Sequence, residues 1–350
     1  MRRSIVFATP VWAPLPALTC AAEKAGFSRV WTTEGPRRDG VVRAAVLAAG
    51  SSTIGIGTGI TFAFGRSPLT AAGSALDIAR ISGGRFAIGL GAGTRGVRRH
   101  YGIEIDRPAP WFEDYVAVLR AGFNADATSV SSEGPYFQVK LPAPKIVPED
   151  ASAVYTPPPI YGAALNPIMV KRVARVCDGL ALLSIGLGLG YFEETVLPAF
   201  QAGRREGGRP ASGGFACWCI ASVDKDHDKA RDLARRQLAF YFSTPSYARP
   251  AEAMGFGKVA EEIREIARTG SPPDWGRVAA AVPEELVDAL CLAGTPGEVR
   301  ERVVDLETRL EANGVDELAL QLPGGDLSPE QFRTACTAVI HAFGPTEVGE

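Results

Sequence analysis

Histidine is scarce: three occur in 350 residues, at 100, 227 and 341. No HExxH or HxH pattern joins them, and no G-x-S-x-G elbow accompanies them, so hydrolase chemistry has no support. The six cysteines, at 20, 177, 217, 219, 291 and 336, are too sparse for a disulfide scaffold. Only Cys217 and Cys219 are close, and residues two apart on a strand share a face. No second pair or nearby histidine completes a four-ligand set, so they read as packing and no metal is expected. Excess basic charge is also missing. Lys and Arg total 37 against 39 Asp and Glu, a net charge of -2, which argues against a nucleic-acid partner. No apolar run reaches the roughly 18 residues of a membrane span. The apolar start after Arg2 and Arg3 meets Pro10 too soon for a signal peptide. The expectation is a cytoplasmic protein whose first segment is a β-strand.

What is present is an ordinary globular balance, 46% hydrophobic and 22% charged, with length enough for one barrel or two smaller domains. Short apolar runs alternate with helix-period segments. Strands are expected at Ser4–Ala8, Arg29–Thr33, Ile54–Thr58, Arg85–Leu90, Pro159–Ala163, Gly179–Leu183, Phe215–Ser222 and Glu317–Leu322. Helices are expected at Leu15–Ala25, after Asp39 to Ala49, Pro68–Arg80, Pro110–Ala121, Ile168–Val176, Tyr191–Arg205 and Pro329–Phe343. Runs such as FACWCIA suit strands buried on both faces. Eight strands separated by helices fit one (β/α)8 TIM barrel spanning 1–350. A doubly wound open sheet is the alternative. Segments of about 124–158 and 241–290 break the rhythm and read as insertions at the C-terminal rim. They shape a substrate pocket or serve as spacer and oligomer contact.

In a barrel, active-site residues sit at the C-terminal ends of strands. After the second strand comes Glu34, an acceptor for a ligand or a helix cap. After the third comes Gly57-Thr58-Gly59-Ile60-Thr61-Phe62, whose glycines permit close approach of a flat ligand. After the fourth, Gly91, Gly93 and Gly96 match G-x-G-x-x-G. However, the motif stands fourth in the chain, and Arg98–Gly102 reads as loop where a dinucleotide site needs a helix. After the fifth, Ala164-Leu165-Asn166-Pro167 describes either a helix N-terminus open to a phosphate or a plain Asn cap.

These segments carry a family resemblance. Trp31-Thr32-Thr33-Glu34, Ile56–Ile60, Ser82-Gly83-Gly84-Arg85-Phe86-Ala87-Ile88-Gly89-Leu90-Gly91-Ala92-Gly93 and Asp178-Gly179-Leu180 stand in order. Together they resemble the bacterial luciferase-like superfamily over residues 1 to about 325. Gln237–Tyr247 and Gly294–Val299 are similar to its branch that uses the deazaflavin F420. The resemblance implies a (β/α)8 barrel, often dimeric, with F420 or a flavin at the C-terminal rim. It implies that Glu34 meets the ring side and that Gly59-Ile60 backs the ring, often through a non-proline cis peptide. It places Phe62, Ala92, Gly93 and Val97 along the ring and ribityl chain. Leu165, Asn166, Ile168 and Met169 would hold the phosphate, with Ser184 added. Two departures argue against sugar-phosphate oxidation: Gly35 stands where F420-dependent sugar-phosphate dehydrogenases carry His, and Thr94 where they carry a catalytic Glu. Ala92 replaces the Arg that holds the FMN phosphate in bacterial luciferase.

The implied function is an F420-dependent oxidoreductase, passing a hydride between reduced F420 and a C=C, C=N or C=O bond of a small molecule. Tyr101, Glu34, Tyr241 and Tyr247 are the candidate proton donors, and Tyr247 also a substrate contact. Arg66 steers an anionic substrate or the cofactor tail, or forms a surface salt bridge. The alternatives are an FMN-dependent monooxygenase using reduced flavin and oxygen, and a non-catalytic flavin-binding barrel. A homodimer is expected, with an F420 or flavin reductase as a supplying partner.

Overall fold

The computed structural model describes residues 1–124, 128–145, 156–188 and 190–344. In chain order the elements are β1 (Arg2–Phe7), α1 (Leu15–Lys24), β2 (Arg29–Thr32), α2 (Gly40–Ala49), β3 (Gly55–Thr58), β4 (Thr61–Phe62), α3 (Pro68–Ile81) and β5 (Phe86–Gly91). There follow α4 (Arg95–His100), α5 (Pro108–Gly122), the hairpin β6 (Val130–Glu133) and β7 (Gln138–Leu141), β8 (Ile160–Ala163), α6 (Pro167–Val176), β9 (Gly179–Leu182) and α7 (Leu197–Glu206). The last third holds β10 (Phe215–Val223), α8 (His227–Phe242), α9 (Ala248–Ala253), α10 (Gly257–Arg268), α11 (Trp275–Ala280), α12 (Glu284–Leu290), β11 (Cys291–Gly294), α13 (Pro296–Ala312), β12 (Glu317–Gln321) and α14 (Pro329–Phe343).

The parallel strands pair in the cycle β1-β2-β3-β5-β8-β9-β10-β12, and β12 returns to β1. Closure leaves these eight without a free edge, the (β/α)8 barrel. Inside it, three large side chains fit because small ones face them. Trp31, Tyr161 and Trp218 are clustered with Val6, Ala87, Ala181, Ala216 and Ala319. The Trp31 indole N–H donates to Glu317 at 2.8 Å and Ser4 at 3.2 Å, while Arg29 bonds Glu317 at 2.8 Å. This buried ion pair plugs the N-terminal end of the barrel and fixes the indole. Cys217 and Cys219 face the other way, into the larger core between strands and helices. Trp218 between them points inward, as the two-residue period requires.

The eight strands expected from sequence are the eight staves, and Asp39 caps α2, accepting from the N–H groups of Val41 and Val42 at 2.8 and 3.0 Å. Several boundaries need correction. Arg98–His100 belong to helix α4, not a loop. Thr94 caps α4, its hydroxyl accepting from Val97 N–H at 3.3 Å. The helix expected over 191–205 opens as a wide π turn, Phe192–Val196, ahead of α7. Pro198 lacks the N–H that would close a regular turn there. The insertion at 241–290 begins inside α8 and holds α9 to α12, and β11 after it adds a parallel strand on β10. Within the expected insertion 124–158, β6 and β7 form an antiparallel hairpin. Residues 125–127 and 146–155 of that segment lie outside the described residues. No described helix is long and apolar enough to cross a membrane.

Candidate active site

The ends of β2 and β3 are joined above the barrel. Gly59 N–H donates to the Thr32 carbonyl at 2.6 Å, and Glu34 N–H to the Ile60 carbonyl at 3.0 Å. The Gly59–Ile60 peptide is cis. A Cβ on Gly59 would stand 2.8 Å from Trp218 Cζ2 and 3.0 Å from Trp31 Cβ, so only glycine lets the backbone rest on the two indoles. Thr58 ties β3 to β5: its hydroxyl donates to the Gly89 carbonyl and accepts from Gly89 N–H, both at 2.8 Å.

Glu34 does not cap a helix. Its carboxylate, 8% exposed, accepts from Phe62 N–H at 3.0 Å, from the Thr61 hydroxyl, and from Arg66 Nη1 at 3.0 and 3.1 Å. Burial raises the Glu34 carboxyl, against the pull of the Phe62 N–H and the Arg66 guanidinium. Arg66 also bonds Asp39. Its charge is thus matched by two carboxylates and its side chain is 17% exposed, so it forms an internal clamp between β2 and β4, not a surface salt bridge. It stands ready for no free anion.

The end of β5 forms the next part of the rim. Gly93 adopts φ +70, a conformation that favours glycine, and its carbonyl accepts from Arg98 Nη1 at 2.7 Å. A Cβ there would meet Val97 at 3.3 Å and Phe62 at 3.6 Å, so Phe62, Gly93 and Val97 meet at one spot, with Ala92 beside them. Tyr101 caps the C-terminus of α4 and sets its ring edge-on to Phe62, centroids 5.2 Å apart. Its phenol is raised by burial and by the Glu34 charge.

At the ends of β8 and β9 two polar side chains lack partners. Asn166 stands at the N-cap of α6, but its side chain makes no capping bond, and its buried Oδ1 has no hydrogen-bond partner. Ser184, wholly buried, has an Oγ in the same condition. Buried polar atoms in folded proteins are normally satisfied, so these two adjacent strand ends have hydrogen-bonding capacity left for a ligand. Leu165 links the two segments: its carbonyl accepts from Tyr191 Oη at 3.1 Å, and its side chain borders Gly186. Pro167 takes the first helical position, where its missing N–H costs nothing. The Ile168 side chain is 69% exposed, so its offer to an anion is its backbone N–H, while Met169 packs on the core.

Across the mouth lie Tyr241 and Tyr247, ring centroids 6.1 Å apart. Gln321 Nε2 donates to Tyr241 Oη. Burial holds the Tyr241 phenol far above its ordinary value and pushes Tyr247 up to about 12, so both stay protonated at neutral pH. Sequence reasoning passed over Arg38. Its guanidinium lies over Gly35 and feels the Tyr101 and Tyr241 phenols. The only sequence signal was a pair of arginines directly after Glu34-Gly35-Pro36.

The family model for luciferase-like monooxygenases matches residues 3–311. The chain belongs to that family. It is 30% identical to the 5,10-methylenetetrahydromethanopterin reductase of Archaeoglobus fulgidus over 291 residues, 81% of this chain and 83% of that one. A Mycobacterium tuberculosis protein provisionally named a coenzyme F420-dependent oxidoreductase is 27% identical over 82% of this chain and 85% of its own length. Among solved structures, the coenzyme F420-dependent tetrahydromethanopterin reductase of Methanopyrus kandleri superposes with a TM-score of 0.79 at 23% identity, covering 98% of this chain and 97% of that one. That last likeness bears on the fold of this luciferase-like chain alone.

Proposed function

We propose that this family member is an F420-dependent oxidoreductase acting on an unsaturated small molecule. The observation that carries the reading is the wholly buried, unpartnered Ser184 hydroxyl, a donor at the strand end where the family resemblance puts the cofactor phosphate, with Asn166, whose side chain makes no capping bond, beside it. The names of the two relatives favour F420 over FMN. The residues present fit such a group. Asn166 Nδ2, the Ser184 hydroxyl and the first-turn N–H groups of α6 would hold the phosphate, helped by the helix dipole. Gly93, Ala92, Val97, Phe62 and Ile60 would line the ring, with Trp218 and Trp31 under the Gly59 backbone.

When bound, F420 supplies hydride transfer to or from a carbon centre. The protein positions the partners and manages the proton. Glu34 is clamped by Arg66, Thr61 and Phe62 N–H, so its carboxyl group holds the ends of β2 and β4 together and is not the proton carrier. Tyr101 borders both the Phe62 ring and solvent, so its phenol can give a proton and regain it. Tyr241, pinned by Gln321, keeps its oxygen in place on the opposite wall. Anaerobic assays of reduced F420 with α,β-unsaturated ketones test the reading. Oxidation of the cofactor without oxygen is expected, and a Tyr101→Phe variant keeps F420 affinity while kcat falls about 10²-fold. A strict requirement for oxygen, or full activity in the variant, contradicts it.

A further inference from the structure

Arg38 carries a charge that nothing in the described protein balances. Its Nε donates to the Thr33 carbonyl at 3.3 Å, and its two terminal nitrogens have no hydrogen-bond or ion-pair partner among the described residues. Neither nitrogen is sealed from solvent. The turn that carries it is tight. Gly35 N–H donates to the Arg38 carbonyl at 3.3 Å, Arg38 N–H to the Gly35 carbonyl at 3.0 Å, and Arg37 between them takes φ 63. The guanidinium is thereby folded back onto Gly35. A Cβ at residue 35 would stand 2.9 Å from its Cζ and Nη2.

The neighbouring charges do not compensate. Arg66 takes both nearby carboxylates, Glu34 and Asp39. Arg43, on α2, donates to the carbonyls of Thr9 and Pro10 at 2.7 and 2.9 Å and has no carboxylate either. The groups facing Arg38 from α4 and α8 are the phenols of Tyr101 and Tyr241. This corner of the rim therefore holds three guanidiniums against two carboxylates. A half-buried, uncompensated cation is costly unless a ligand supplies the counter-charge. The phosphate end does not supply it: β2 is three and four strands away from β8 and β9 in the barrel cycle, on the opposite arc of the mouth.

We infer that Arg38 is the receptor for an anionic group of the substrate, a carboxylate or equivalent planar oxyanion, bound by its two free terminal nitrogens between Tyr101 and Tyr241. The planar guanidinium fork matches such a group bidentately. Gly35 belongs to the receptor, because any side chain there would push the fork from its seat. The inference deepens the oxidoreductase reading and rests on it.

The test is calorimetric titration of the F420-loaded protein with trans-cinnamate and with cinnamamide, which share a shape and differ in charge. Cinnamate should bind about tenfold or more tighter than the amide, the size of a charge-assisted hydrogen bond. Arg38→Gln should abolish the preference. Gly35→Ala, which keeps the cation but displaces it, should narrow it. Both variants should hold F420 within about twofold of wild type. Equal affinities for acid and amide, no binding of cinnamate, or a preference that survives Arg38→Gln overturns the inference. So does a loss of F420 affinity in Arg38→Gln with the preference intact, which would give Arg38 to the cofactor. Failure of the wild type to bind F420 would instead sink the oxidoreductase reading. The acid-amide comparison is then made on the cofactor-free protein, where the same criteria apply.

Discussion

Replacing Ser184 by alanine should make the empty protein more stable and the cofactor weaker. The Ser184 side chain is 0% exposed and its hydroxyl has no partner. A buried polar group left unsatisfied costs about 1–3 kcal/mol, which alanine removes. The hole left by one oxygen, of order 15 Å³, returns about 0.4 kcal/mol of that at the usual cavity cost. The net gain is about 0.6–2.6 kcal/mol. Unfolding entropy for a chain of 350 residues is roughly 0.7 kcal/mol/K, so Tm should rise by about 1–4 °C. Binding should move the other way. A hydrogen bond to a charged phosphate is worth about 1.5–3 kcal/mol, or roughly ten- to hundredfold in Kd. Calorimetric scans of the empty variant and F420 fluorescence titrations read the two effects separately. A serine kept for structure would lose stability on replacement and leave Kd alone. A lower Tm together with an unchanged Kd would therefore refute the reasoning.

Other expectations follow from the same contacts. Glu34→Gln leaves Arg66 with Asp39 alone and should cost about 1–2 kcal/mol in urea unfolding, less than a fully buried broken pair; the cost should shrink in an Arg66→Gln background, and strict additivity would count against the clamp. Burial would raise the Glu23 carboxyl, but the N–H groups of Thr53, Ile54 and Ser52 together draw it down to about 2. Its folded value lies below its unfolded one, so its stabilisation is complete above about pH 4.5 and lost as pH falls toward 2. Glu23→Gln should flatten the acid limb of a stability-pH curve in that window, and an unchanged limb would show that the loop before β3 is held otherwise. Gly57→Ala would set a Cβ 2.5 Å from a Trp31 ring that cannot retreat from Ser4 and Glu317. It should cost about 2–3 kcal/mol by overpacking, measured by urea unfolding.

The barrel was legible because parallel strands buried on both faces write themselves as unbroken apolar runs, FACWCIA most plainly. A cap was legible where chemistry is local: Asp39 before α2, whose carboxylate accepts from Val41 N–H at 2.8 Å. Short elements hid for the same reason. RGVRRH offers no apolar period, so α4 rests on its Thr94 cap and on the Arg98 bond to Gly93. CLAG runs on from α12 with no break, and only pairing with Ile220–Val223 makes it β11. Contacts between distant residues were the least visible. Arg66 reads as an anion-steering cation or a surface salt bridge until folding brings Glu34 and Asp39 to it across 32 and 27 positions. Arg38 went unread in the sequence because only the turn at Gly35, with Arg37 at φ 63, folds it inward.

The central claim, an F420 site held at the ends of β8 and β9, is tested most directly by titrating the purified protein with F420 and FMN side by side and following cofactor fluorescence. The account predicts saturable binding of F420 in about the micromolar range, at least about tenfold tighter than FMN and weakened by Asn166→Ala. Preference for FMN, or binding of F420 that Asn166→Ala leaves unchanged, would contradict it.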